Sequence, residues 1–107
     1  AVIGQIQGGT AQGLGLAVME EIMIRDGKVR NPSFTDYLIP TILDMPPVVQ
    51  TWIEQPERGA PYGAKGVGAP PTISSTGAVV AAIRQATGLS LRRVPVRPDD
   101  IALAPER

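Results

Sequence analysis

The sequence predicts an α+β fold, two helices packed on a small mixed sheet. Three observations carry this. The segments run helix, hairpin, strand, long loop, helix, terminal strand, without the regular alternation of a doubly wound sheet. Asp26-Gly27 sits between two short strand-forming runs. Two stretches carry apolar residues at helical spacing.

The first helix is expected over residues 5–21. Leu14, Ala17, Val18 and Glu21 follow helical spacing, and the first three are apolar. Gly8, Gly9, Gly13 and Gly15 interrupt it, each costing about 1 kcal/mol against alanine. Close helix packing or close approach of a ligand to the backbone can offset that cost. The hairpin follows, with arms at residues 22–25 and 28–30. Asn31-Pro32 breaks its second arm, and residues 33–40 make an irregular crossing. Residues 44–47 turn, because Pro46-Pro47 blocks a helix. Val48, Val49, Thr51, Trp52 and Ile53 are strand formers. Apolar on both faces, residues 48–55 are expected at the centre of a sheet.

Residues 55–71 form a loop that holds four glycines and four prolines. Loops beyond about 12–15 residues are usually functional or disordered, and Val67 amid small residues argues for function. The second helix is expected over residues 72–87, capped by Ser74 or Ser75 and stopped by Gly88. Ala78, Ala81, Ala82 and Ile83, joined by Val79 and Ala86, offer it a narrow packing face. Residues 89–96 read as a terminal strand, and residues 98–101 as a final turn or short helical start. Helices this apolar are too exposed for a lone domain, so the unit is expected to pack into a larger body.

Composition removes several functions. The chain has 107 residues, enough for one small domain, and 43% are hydrophobic. Aromatics are only 4%, so Val, Ile, Leu and Ala must build the core. Twelve glycines and eleven prolines exceed the ordinary share of roughly 12% for the two together and point to many constrained turns. Ten acidic and ten basic residues cancel, and no basic block interleaves with aromatics, which argues against nucleic acid. Arg92, Arg93 and Arg97 read as a solvated face. With neither cysteine nor histidine, the chain has no disulfide, thiolate metal site, iron–sulfur ligand or His-containing triad. The missing cysteine fits a cytoplasmic protein. No apolar run reaches the roughly 18 residues that span a bilayer, so no membrane partner is expected. The chain opens on Ala1-Val2-Ile3-Gly4, which reads as a processed chain or part of a longer one.

The glycine clusters match no phosphate loop, because no Gly-Lys-Ser/Thr follows at the required spacing. Glu20-Glu21 and Asp99-Asp100 read as solvated surface. Asp36, between Phe34 and Tyr37, reads as a structural anchor. Gln12 is the polar residue of most interest. Its amide offers donors and an acceptor that suit a pterin or purine edge, and it lies among glycines on an otherwise apolar helix. By itself such a residue reads as surface.

Five motifs then agree in order and rough spacing. They are Gln5-Ile6-Gln7-Gly8-Gly9-Thr10-Ala11-Gln12-Gly13-Leu14-Gly15; Glu20-Glu21; Asn31-Pro32 through Asp36-Tyr37 and Ile39-Pro40; Gly63-Ala64-Lys65-Gly66-Val67-Gly68; and Pro70-Pro71. Together they resemble the C-terminal region of the molybdopterin-binding large subunit of the xanthine dehydrogenase and aldehyde oxidase (molybdenum hydroxylase) family. The resemblance implies that residues 1–107 are the C-terminal part of a molybdopterin-binding domain, within a subunit several times longer. It implies a molybdenum pyranopterin, in bacterial members often the cytosine dinucleotide form. It also implies FAD and iron–sulfur clusters on other domains or subunits as partners, alongside the remaining molybdopterin-binding subunit. The implied reaction hydroxylates an aldehyde or N-heterocycle, a small-molecule substrate, with water as oxygen source. Gln12 takes the position of a pterin-contacting glutamine, and Lys65, Gly66, Val67 and Gly68 that of the loop beside the molybdenum. The chain itself offers no metal ligand.

The sequence departs from the family pattern at Ala69, where the family carries a glutamate that acts as general base on the nucleophile. Such help is typically worth about 10²–10⁴-fold. Lys65 is cationic and Tyr62 a weak base, so neither replaces it. A homologue with a base from elsewhere or with a different reaction, an engineered form, or a non-catalytic structural or assembly subunit each fits this departure. A free-standing binding domain fits the apolar helices less well.

Overall fold

A computed structural model describes residues 1–104; the last three residues of the expected 1–107 unit lie outside them. The chain forms helix α1 (Val2–Val18), a hairpin of β1 (Ile24–Arg25) and β2 (Lys28–Val29), a single 3₁₀ turn (Pro61–Gly63), helix α2 (Ala69–Thr87) and a short helix α3 (Pro98–Ala102). The α+β expectation holds. The sheet is an antiparallel pair, with Ile24 opposite Val29 and Arg25 opposite Lys28. The two long helices pack on each other.

They run in the same direction. A Cβ built on Gly9 would lie 2.7 Å from Pro71 Cβ, and one on Gly13 would lie 2.9 Å from Ser75 Cβ. Thr76 Oγ1 donates to the Gly13 carbonyl at 3.1 Å. Two of the helix-breaking glycines thus let the backbones meet, which is the packing explanation of their cost. Gly8 is different: nothing in the described chain lies within 4 Å of a Cβ there.

The face of α2 differs from the one expected. Ala78, Ala81, Ala82 and Ala86 are exposed, while Thr72, Ser75, Thr76, Val79 and Ile83 are partly buried. Gly9 and Gly13 leave room for hydroxyl side chains, and the alanines fall on the far side. The helix also starts three residues early. Pro70 and Pro71 have no N–H to leave unsatisfied and a φ already suited to the first turn. Gly68 is therefore the N-cap, without a side-chain bond. Ser74 and Ser75 do not cap; their hydroxyls donate back to the carbonyls of Pro70 and Pro71 at 2.8 and 2.5 Å. Gly88 ends the helix as expected.

At the other end of α1, the Gly15 carbonyl accepts from the N–H groups of Met19 and Glu20. The chain then enters the hairpin, whose turn places Asp26 and Gly27 at φ 53° and 70°, the pairing that suits a tight two-residue loop. Asn31, buried, holds this hairpin at its base: Oδ1 accepts from the Met23 N–H at 2.8 Å and Nδ2 donates to the Glu21 carbonyl at 2.6 Å.

Two expected strands do not form. Residues 48–55 carry no regular structure, and Val49 is 95% exposed. Strand propensity alone cannot hold a strand without a neighbour to bond. Residues 89–96 make no ladder either; Val96 N donates to the Ala17 carbonyl at 2.7 Å and packs there. Ala17 and Val96 are the buried hydrophobic core. The Cα radius of gyration is 17.2 Å, against about 13 Å for a self-contained domain of this length.

Candidate functional site

The glycine-rich loop begins at a constrained corner. Tyr62 and Gly63 take φ 55° and 68°. The Gly63 carbonyl accepts from the Glu57 N–H at 3.0 Å. A Cβ on Gly63 would come within 2.6 Å of Pro56 Cβ, so position 63 needs glycine both for its conformation and for space.

Beyond this corner the chain presents backbone. The N–H groups of residues 65–68 take part in no hydrogen bond among the described residues. A Cβ on Gly66 would meet open space, and one on Gly68 would lie 3.1 Å from Gln5 Oε1. Lys65 and Gly66 are exposed and Val67 is half-buried. Ala69 follows as the first residue of α2 and is exposed. Of the first three helical residues it alone has an N–H, since the next two are prolines.

Gln12 is tied to the same end of the helix pair. Its Oε1 accepts from Thr72 Oγ1 at 3.2 Å, and its NH₂ group has no partner among the described residues. Thr72 stands one turn from Ala69 on α2. Gln5, Gln12, Thr72 and the 65–68 backbone therefore gather where α2 starts. No hydrogen bond joins Lys65 or Val67 to Gln12 within the described residues. Gln5 and Thr72 were not singled out from sequence. The seven-residue spacing of Gln5 and Gln12, two turns along one helix face with Gly9 between, was the available signal for the first. Thr72 gave none beyond a hydroxyl after two prolines.

The other candidates have structural roles. Glu20 is no free surface carboxylate: Tyr37 OH donates to its Oε2 at 2.7 Å, and that bond, with burial and the neighbouring charge, raises the Tyr37 phenol above its ordinary value. Glu21 pairs with Arg97, and Asp100 Oδ2 accepts from the Arg97 N–H at 2.8 Å while lying 3.6 Å from Arg93. The expected solvated arginine face and acidic pairs are thus partly tied down. Asp36 is exposed, and its N–H donates to the Ser33 carbonyl at 3.0 Å. The anchor in this region is Asp44. Its carboxylate accepts from Thr41 N and Oγ1 at 2.7 and 2.8 Å, which holds its pKa below the usual carboxylate value.

Among the described residues no group of three or more His, Cys, Asp or Glu could hold a metal ion. The donors here are unengaged backbone N–H groups and an amide, with the Lys65 side chain exposed in the same loop and open space at Gly66. They fit the polar edge of an organic cofactor and not a metal's first ligands.

The family model for the molybdopterin cofactor-binding domain matches residues 1–46. The putative xanthine dehydrogenase molybdenum-binding subunit of Escherichia coli (strain K12) is 38% identical over 89% of the chain. The aldehyde oxidoreductase of Megalodesulfovibrio gigas is 35% identical over 94%. The crystal structure of quinoline 2-oxidoreductase from Pseudomonas putida 86 superposes on 94% of the chain with a TM-score of 0.85 and 38% identity.

The chain belongs to the xanthine dehydrogenase and aldehyde oxidase family of molybdenum hydroxylases.

It spans 13% of the E. coli subunit and of the quinoline oxidoreductase chain, and 11% of the aldehyde oxidoreductase. The family motif from Gln5 to Gly15 lies within the matched 1–46 and builds α1. No helix among the described residues is long and apolar enough to cross a membrane.

Proposed function

We propose that residues 1–107 are the C-terminal part of the molybdopterin-binding domain of a molybdenum hydroxylase that oxidises an aldehyde or N-heterocycle with water as oxygen source. The observation that supports this most is the joining of Gln12 to Thr72 beside four unengaged N–H groups, in a chain of this family. Gln12 would donate its amide N–H groups to the pterin, and Lys65, Gly66, Val67 and Gly68 would offer backbone at close range. The cofactor, in the plain or the cytosine dinucleotide form, would supply the two-electron oxidation. FAD and iron–sulfur clusters on other domains or subunits would take the electrons onward, in a cytoplasmic complex.

Ala69 would face the reacting centre without moving a proton. A carboxylate at this first helical position would lie at the positive end of α2 and stay ionised, ready to accept a proton from the nucleophile. Alanine leaves that role empty. This favours, as a second reading, a non-catalytic structural or assembly subunit.

Native mass with metal analysis on the protein from its own cells tests the proposal. A large complex with molybdenum and this chain at full stoichiometry supports it. A small molybdenum-free species overturns it and leaves ancestry as the meaning of the family match.

A further inference from the structure

Residues 89–97 form no ladder, but they gather charge. The chain bends at residues 93–95, and Arg92 and Arg93 line one cleft with Arg84 of α2. Val80, Leu91 and Val94 supply its apolar part. Arg84 reaches it because it stands one turn after Val80 on the same helix face. The cleft measures about 520 Å³, within the roughly 300–1,000 Å³ of small-molecule sites.

Among the described residues no acid lines this cleft. Arg84 makes no ion pair or side-chain hydrogen bond within them. Arg92 Nε donates to Ser90 Oγ at 3.3 Å, a neutral partner. Arg93 Nε lies 3.6 Å from Asp100 Oδ2, an oxygen that also accepts from the Arg97 N–H. One shared carboxylate thus stands against three guanidinium groups. The whole chain is neutral, so the excess is local. A guanidinium is a planar fork that pairs two N–H groups with a carboxylate or phosphate. Apolar walls strengthen such pairs by lowering the local dielectric. No aromatic side chain lines the cleft for a base to stack on.

We infer that this cleft binds a small organic anion, with its carboxylate or phosphate on Arg84, Arg92 and Arg93 and its apolar body against Val80, Leu91 and Val94. None of these residues belongs to the site of Gln12 and the glycine loop. The inference stands whether or not the chain serves a molybdenum enzyme.

Arginine modification by phenylglyoxal on the protein from its own cells, read residue by residue by mass spectrometry, tests this. Phenyl phosphate and benzoate are the probes, inorganic phosphate the anion without a body, and phenol the neutral control. At roughly ten times its dissociation constant, the better probe should slow modification of Arg84, Arg92 and Arg93 by about tenfold. The exposed Arg58 should react unchanged. Phenol should protect nothing, and inorganic phosphate should protect less well than phenyl phosphate. The probe that acts at lower concentration names the head group. Arg84→Gln should weaken protection of the other two arginines about tenfold or more. Arg84→Lys should fall between, because an ammonium lacks the fork. Equal protection of Arg58 reduces the effect to ionic screening and overturns the site. Modification that no probe slows overturns it too, as do three arginines that stay unreactive without a probe, since another part of the assembly then covers them.

Discussion

Gly13 and Ser75 occupy adjoining space so tightly that a methyl group added at Gly13 would lie 2.9 Å from Ser75 Cβ and displace it. The contact fixes how closely α1 and α2 approach, and with them the distance between Gln12 and Thr72. Gly13→Ala should therefore cost about 1–3 kcal/mol through overpacking, less up to about 1 kcal/mol of recovered helix preference. Gly8→Ala should instead stabilise the isolated chain by about 1 kcal/mol or less, because open space surrounds that position. Denaturant unfolding of the two variants should give opposite signs.

Asn31→Ala should loosen the hairpin. It removes the acceptor of the Met23 N–H and the donor to the Glu21 carbonyl at a buried position. Leaving these unsatisfied costs about 2–3 kcal/mol. Amide exchange at Met23 should rise, while α2 should remain protected.

Tyr37 couples its ionisation to folding. Its pKa lies above 10.0 in the folded chain because Glu20 holds the protonated phenol. The folded state thus binds the proton more tightly than the unfolded one. The contribution is complete below pH 10 and falls as pH rises through the folded pKa. A Tyr37→Phe chain should lose about 1 kcal/mol at neutral pH and a corresponding part of its alkaline sensitivity. Stability curves from pH 8 to about 11.5 check both.

Asp44 shows the opposite sign. Its pKa lies below 3.8 because Thr41 N and Oγ1 hydrogen-bond the ionised form. Its contribution is complete above the ordinary carboxylate value and is lost as pH falls through the folded one. Carboxyl NMR titration should place its midpoint below the ordinary carboxylate value. Thr41→Val should raise it.

Ala69→Glu in the assembled, molybdenum-loaded enzyme should raise turnover of an aldehyde or heterocycle by about 10²–10⁴-fold. No gain at full molybdenum loading would favour the assembly reading. Gln12→Leu should reduce molybdenum retention under the hydroxylase reading and leave it unchanged under the other.

The sequence was most legible where the determinants are local. Asp26-Gly27 dictated its hairpin, and Gly88 its helix stop, through their own backbone preferences. Gly9 and Gly13 announced close packing without naming the partner, because Thr72 and Ser75 lie more than 60 residues away. The alanine stripe of α2 misled for the same reason: which face turns inward depends on α1. Residues 48–55 carry a strand's composition, but pairing requires a neighbour, and among the described residues none bonds to them. At the site, Gln12 and the glycine loop stood out by composition. Gln5 and Thr72 acquire meaning only once the helices lie side by side.

The parallel run of α1 and α2 also sets a schedule for synthesis. About 50 residues separate the end of one helix from the start of the other. At about 5–20 residues per second, α1 leaves the ribosome roughly 3–10 s before its partner exists. Through that interval the groove around Gly9 and Gly13 is open, and the apolar side chains of α1 are available to whatever meets them first. A chaperone that holds nascent apolar helices would act in this window.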